Sequence, residues 1–195
     1  MHSADNHPVD DTAREAAKLL QRLDPGNLAE LRRMKGSSTA APAYWRLAAR
    51  HAKTIGHRHD VWMAIVRAMA ILTPTGDPDA RQSLHNARRR LGEVLCDGGD
   101  PGWPMGNMLR PVISERRLAQ LMSARGRQRQ VLLERVVRAI ARTFQPGTGV
   151  DVTDIAWWLL DPNTARAARR LAESYYKRLD RADRDQESIR QGANT

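Results

Sequence analysis

The sequence predicts an all-α protein, a helical bundle of about eight or nine helices in two packed halves. Apolar residues recur at spacings of three and four from one end of the chain to the other, which is the period of an amphipathic helix. Apolar and polar residues do not alternate in β-branched runs, as half-buried strands require. With 195 residues, 41% of them hydrophobic, the chain can bury a core.

Local signals place the helices of an N-terminal half, residues 1–96. Asp10 and Asp11 are good caps for a first helix, and Pro42 suits the first turn of a later one. An apolar stripe that includes Trp62 and Met69 marks another helix. The expected helices start after Asp10 or Asp11 and stop near Pro25, cover roughly 27–34, start at Pro42, cover 59–72, and run from about Pro78 to Cys96.

A loop rich in glycine and proline is expected to divide the chain. Four Gly and two Pro fall within 97–107, so residues 97–110 are predicted to link the first half to a C-terminal helical half, 111–182. Trp103 in this loop is expected to contact a partner, and the polar segment 183–195 to be a disordered tail. The helices expected here run from Ser114 to Met122, over about 124–145, from Asp151 to near 160, and from Pro162 onward.

The chain is strongly basic, with 32 Lys+Arg against 22 Asp+Glu and a net charge of +10. Four of these cations are lysines, which leaves 28 arginines, the residue whose planar guanidinium pairs best with phosphate. A GC-rich genome would also encode much Ala and Arg, so the placement of the arginines has to decide. No apolar run of 18 residues and no signal peptide are present, which predicts a cytoplasmic protein without a membrane span.

The helix expected over 124–145 carries the most specific charge pattern. Only Glu134 offsets six arginines between residues 125 and 142, so the pairs of acid and base that support a merely solvated helix are few. A second basic group, Arg32, Arg33 and Lys35, closes the second helix, where the helix dipole also favours cations. On a helical wheel, one face of the 124–145 helix holds Leu133, Val137, Ile140 and Phe144, and the opposite face holds Arg127, Arg135, Arg138 and Arg142.

Catalytic signals are weak. His51, His57, His59 and Asp60 lie within ten residues, and an adjacent His and Asp is typical of metal-dependent phosphohydrolases. A catalytic metal needs at least three protein ligands, and the later His85 has no acidic residue at a helpful spacing. GxSxG, P-loop and GxGxxG motifs are absent, and the single Cys96 follows an apolar stretch like a core residue. The prediction is a protein without catalytic residues, metal or cofactor.

An ordered series of motifs covers about residues 15–180: ELRRM, PAYWRL, GEVLCDGG, SERRLAQLMSARG, VLLERVVRAIA, VDVTDIAWWLL and RRLAESYY. This series resembles the CasB family, the small subunit of the type I-E CRISPR Cascade complex. The resemblance implies a non-catalytic all-α subunit, present in two copies, that bridges the backbone subunits and the large subunit. Basic residues of the family hold guide RNA, target DNA and the displaced strand and so stabilise the R-loop.

The resemblance and the charge pattern together predict a nucleic-acid-binding surface. By position, Arg33, Arg58, Arg117 and Arg135 fall on family arginines expected to contact nucleic acid or its neighbours. The alternatives are a stand-alone helical DNA-binding regulator, for which no convincing helix-turn-helix is seen, and an HD-type metal phosphohydrolase. The complete predicted contact set is Arg32, Arg33, Lys35, Arg58, Arg117, Arg127, Arg135, Arg138 and Arg142.

Overall fold

A computed structural model describes residues 7–34, 41–104 and 109–192, and confirms the all-α class. Within these ranges the chain forms ten α-helices and no strand. No helix in these ranges is long and apolar enough to cross a bilayer. The helices are α1 (Pro8–Arg22), α2 (Pro25–Arg33), α3 (Pro42–Arg50), α4 (Ala52–Ile55), α5 (His59–Leu72), α6 (Leu91–Asp97), α7 (Glu115–Ser123), α8 (Arg127–Ile140), α9 (Val152–Leu160) and α10 (Thr164–Gly192).

Several helix ends lie where the local signals predicted them. Pro42 opens α3, α5 covers 59–72, Ser114 precedes α7, and the Asp151 carboxylate accepts a hydrogen bond from the Thr153 amide at the start of α9. The start of α1 was predicted wrongly. His7 is its N-cap, with Nδ1 accepting from the Val9 amide at 3.2 Å, and Pro8 takes the first turn.

The helix predicted from Pro78 to Cys96 is only half present, because residues 78–90 are irregular and α6 begins at Leu91. Tertiary hydrogen bonds hold this segment instead. The Arg81 guanidinium donates to the carbonyls of Leu20 and Leu23, both at 2.8 Å, at the carboxyl end of α1. Farther along, the Val150 amide donates to the Leu84 carbonyl at 2.8 Å. The Arg81 bonds satisfy carbonyls at the end of α1 that have no partner within that helix, and the Val150 bond satisfies a carbonyl of the irregular segment.

The helix predicted over 124–145 is also shorter than expected. Gly126, at φ +51°, separates α7 from α8, and α8 ends at Ile140. The last helix starts at Thr164 rather than Pro162, with the Asn163 side chain accepting from the Arg166 amide at 3.0 Å. α10 continues to Gly192, well into the segment 183–195 that was expected to be a disordered tail.

One hydrophobic core unites helices from both sides of residues 97–110. α5 lies near its centre and packs against α1, α2, α8 and α9, with Trp62 fully buried. α6 crosses α10 at Gly92, where a Cβ would lie 2.2 Å from the Leu171 carbonyl oxygen. The close approach of these two helices therefore depends on the missing side chain. The proposed division into halves at 97–110 stays a prediction.

A buried ionic network anchors the first residues of the glycine- and proline-rich loop, from Asp97 to Trp103. The Asp97 carboxylate, fully buried, accepts from Arg89 at 2.9 and 3.0 Å and from Arg178 Nε at 2.8 Å. The Arg178 guanidinium also lies 4.9 Å from the centre of the Trp103 ring. Trp103 is 8% exposed and donates from Nε1 to the Arg110 carbonyl at 3.0 Å. The expected role of Trp103 as a partner contact is therefore not supported, since its ring is used inside the fold.

Candidate nucleic-acid interface

Four of the predicted arginines line one groove between α7 and α8. The two helices pack on each other, and the groove between them has a volume of about 430 Å³. Apolar side chains and Gln120 complete its lining, which contains no acidic residue. We call this surface the α7/α8 groove; its arginines are Arg117, Arg135, Arg138 and Arg142, and its apolar residues are Ile113, Leu132, Val136 and Ala139.

Three of these four arginines have no acidic partner in the described part of the chain. Arg117, Arg135 and Arg142 are exposed, and among the described residues no carboxylate lies within ion-pair distance of them. Arg138 differs, because its guanidinium bonds Glu134 at 2.9 and 3.1 Å, one helical turn away. The second Glu134 oxygen accepts from Arg67. Glu134, the single acidic residue of α8, therefore has both carboxylate oxygens hydrogen-bonded, one to Arg138 and one to Arg67.

The arrangement suits an extended anion. Unneutralised cations in a concave, partly apolar surface reinforce one another's potential, since low-dielectric walls focus the field. Each guanidinium can donate two parallel hydrogen bonds to one phosphate. Three such groups along one groove can therefore hold several phosphates of one backbone while making no demand on base sequence.

The other predicted contact residues are dispersed. Arg33 is exposed on α2, and Arg127 is exposed at the start of α8, outside the groove lining. Arg58 is half-buried, and it donates to the Thr54 carbonyl at 3.3 Å. Lys35 lies outside the described residues.

Arg32 has a structural role. Its Nε donates to the Ala70 carbonyl at 2.8 Å, and its terminal nitrogen donates to the Thr73 carbonyl. It therefore caps the carboxyl end of α5, and burial lowers the pKa of its guanidinium.

One of the six arginines between residues 125 and 142 points inward. Arg129 is 5% exposed, and its guanidinium lies 4.4 Å from the centre of the Trp158 ring, a cation–π contact. Burial, followed by repulsion from Arg125, lowers the pKa of Arg129. The sequence could have predicted this inward position, because a helical wheel at about 100° per residue puts Arg129 beside the apolar face that contains Leu133.

The alternative interpretations gain no support from the histidines. His51 Nδ1 lies 3.1 Å from the Thr12 hydroxyl, and His59 Nδ1 lies 3.1 Å from the Tyr44 hydroxyl. Across the described ranges, no group of three or more His, Cys, Asp or Glu side chains is placed to hold a metal ion. Burial raises the pKa of the Cys96 thiol to about 12, which keeps it protonated and a poor nucleophile.

Two features of the fold were not expected from the sequence, a contact of His85 and the turn between α7 and α8. The fold brings His85 within 3.9 Å of the Asp151 carboxylate, although no acid lies near it in sequence. Three residues, Ala124 to Gly126, join α7 to α8, a turn length that helix-turn-helix motifs also use.

The chain matches a known protein family over a range that includes both helices of the groove. No curated protein and no solved structure gave a significant match to the chain. The family model for the CRISPR-associated protein Cse2 matches residues 27–176, which run from α2 into α10. Because this match spans most of the chain, the protein belongs to the Cse2 (CasB) family of small subunits of the type I-E CRISPR Cascade complex.

Proposed function

We propose that this subunit binds the sugar-phosphate backbone of nucleic acid through the α7/α8 groove and thereby stabilises the R-loop of Cascade during antiviral defence. The observation that carries the proposal is one groove that holds three exposed arginines and, among the described residues, neither an acidic partner for them nor an acid in its lining. The ligands are the guide RNA, the target strand and the displaced strand, held without base recognition. Sequence specificity then rests with the guide.

The energetics of R-loop formation favour such a role. Exchange of a DNA duplex for an RNA–DNA hybrid is nearly balanced in free energy, so a few backbone contacts can shift the equilibrium. Arg33 and Arg58 are secondary candidates, on other elements than the groove. We leave Arg32 out of the proposed contact set, because its Nε and one terminal nitrogen already donate to the carbonyls of Ala70 and Thr73 at the carboxyl end of α5.

The proposal includes the partners that family membership implies for an assembled complex. They are a second copy of this chain, the Cascade backbone subunits and the large subunit, in the cytoplasm. In this proposal the subunit performs no chemical step. An isolated copy is expected to bind nucleic acid weakly, because neighbouring subunits complete the channel around the groove.

Charge reversal of the groove tests the proposal. Arg117→Glu, Arg135→Glu and Arg142→Glu are combined in the reconstituted complex, and opening of a target duplex is followed by permanganate reactivity of the displaced thymines. We expect assembly to be retained and the open state to be lost at limiting complex concentration.

The matched control removes the same charge from another surface. Arg169, Arg181 and Arg184 are exposed on α10, and their combined change to Glu should leave duplex opening intact. Equal permanganate reactivity in the groove variant and in wild type would refute the proposal. If the charge reversal blocks assembly of the complex, a variant with alanine at Arg117, Arg135 and Arg142 is used instead.

A further inference from the structure

A second basic groove lies between α1 and α3, with a volume of about 250 Å³. Glu15 is the only acidic residue in its lining, and Lys18 Nζ holds that carboxylate at 2.8 Å. This hydrogen bond is the main reason that the pKa of Glu15 is lowered, and the nearby positive charges add to it. The cationic lining of this α1/α3 groove is Lys18, Arg22, Arg46 and Arg50, with His51 beside them.

The arginines of this groove are exposed and unengaged. Within the described ranges, the guanidinium groups of Arg22, Arg46 and Arg50 make no hydrogen bond or ion pair. The local sequence offers them no acid, since none occurs between Glu30 and Asp60. That interval contains the cations Arg32, Arg33, Lys35, Arg46, Arg50, Lys53 and Arg58.

An exposed tryptophan, Trp45, precedes Arg46 on α3 and lies outside the lining of the groove. Trp45 is 39% exposed, whereas Trp62, Trp103 and Trp158 are buried. Its ring centre lies 5.3 Å from that of Tyr44, edge to face, and 5.2 Å from that of His59. These two contacts orient the indole while leaving much of the residue in solvent. At about 100° per residue, Trp45 shares an arc of roughly 140° with Arg46 and Arg50 on α3.

We propose that α3 and the α1/α3 groove form a binding site for single-stranded nucleic acid, in which a base stacks on Trp45 and Arg46 and Arg50 pair with the flanking phosphates. Stacking requires an unpaired base, since bases of a duplex are already stacked on their neighbours. A purely electrostatic surface would not need an exposed indole. The site therefore distinguishes single strands from duplex, a selectivity beyond that assigned to the α7/α8 groove.

The test uses the full-length subunit and fluorescein-labelled oligo(dT)20, compared with a 20-base-pair duplex at low salt. Trp45→Leu keeps an apolar side chain against Tyr44 but removes the π-face. Loss of one stacked base should weaken oligo(dT)20 binding by about five- to a hundredfold and leave duplex affinity unchanged. Trp45→Phe should retain most of the single-strand affinity.

A salt series tests the two arginines separately. Arg46→Ala with Arg50→Ala should reduce the slope of log K against log salt by roughly 1.4 for the single strand, about 0.7 for each phosphate contact. Tyr176→Ala, which removes an exposed aromatic residue on α10, is the matched control and should change neither measurement.

Three outcomes would overturn the inference. They are unchanged oligo(dT)20 affinity in Trp45→Leu, equal weakening of single-strand and duplex binding, or a subunit that binds polyglutamate as well as oligo(dT)20 without sensitivity to Trp45. The last outcome would identify an acidic protein partner instead. The part of the tryptophan quenching by oligo(dT)20 that is lost in Trp45→Leu should persist when Arg117, Arg135 and Arg142 are reversed. Failure of the α7/α8 proposal would therefore be recognised separately.

Discussion

Replacement of three groove arginines by alanine should change how strongly salt weakens DNA binding by the assembled complex. Arg117, Arg135 and Arg142 line the α7/α8 groove and have no acidic partner among the described residues. Each is therefore available to neutralise one phosphate and to release the counterion condensed there. Because all three side chains are exposed and make no ion pair with any residue that the structure describes, their truncation should leave folding nearly unchanged.

The size of the effect follows from the number of contacts. Each phosphate contact contributes about −0.9 to the slope of log K against log salt for duplex DNA and about −0.7 for a single strand. Loss of three contacts should make the slope shallower by roughly 2 to 3. Between about 50 and 200 mM salt, wild-type complex should consequently lose about 20- to 40-fold more affinity than the variant does.

The assay is equilibrium binding of a target duplex by reconstituted complex across that salt range. Arg138→Ala is the matched control within the groove, because Glu134 already holds this guanidinium at 2.9 Å, so the slope should change less than for any unpaired arginine. Alanine at Arg169, Arg181 and Arg184 controls for net charge. The reasoning is refuted if the groove variant keeps the wild-type slope, or if both triple variants shift it equally.

Three further predictions concern the scaffold. Asp97→Ala should lower the free energy of unfolding by about 3–5 kcal/mol in a denaturant titration, because it leaves two guanidinium groups, including that of the buried Arg178, without their carboxylate partner. A decrease below about 1 kcal/mol would contradict this. Gly92→Ala should lower the thermal midpoint, since its Cβ would lie 2.2 Å from the Leu171 carbonyl oxygen; an unchanged midpoint would show that α6 and α10 can separate without cost. Burial raises the pKa of Asp154 to about 6, so ionisation of this group lowers the free energy of unfolding as pH rises from about 4 to about 6. Asp154→Asn cannot ionise, so its free energy of unfolding relative to wild type should increase over that window. A difference that stays constant with pH would be evidence against the shift.

Local sequence patterns predicted the helices whose signals are complete within one segment. The apolar stripe of α5 and the caps at Ser114 and Asp151 lie where the sequence placed them. The pattern failed at 78–90, where apolar spacing indicated a helix but Arg81 binds carbonyl groups of α1, about 60 residues earlier in the chain. Hydrogen bonds of that range leave no trace in local periodicity.

The arginines show the same division within the candidate site. A wheel for the helix expected over 124–145 could place Arg135, Arg138 and Arg142 on the outer face, because helix geometry is local. It could not show that Arg117, on another helix, lines the same groove. Nor could it show that Arg32 is used by carbonyl groups of α5, since residues about 40 positions apart meet only after folding.

By itself, the sequence determined the helical class, the excess of positive charge and the order of motifs that marks the Cse2 family. These properties depend on residue types and on short spacings, so they survive without any tertiary information. The tertiary structure decided which cations remain available for a ligand. Arg178 forms an ion pair with Asp97, and Arg129 lies over the ring of Trp158. Arg135 has no such partner in the part of the chain that the structure describes. The physical reason is that burial and ion pairing are set by contacts between distant segments, and only cations that escape both can bind phosphate.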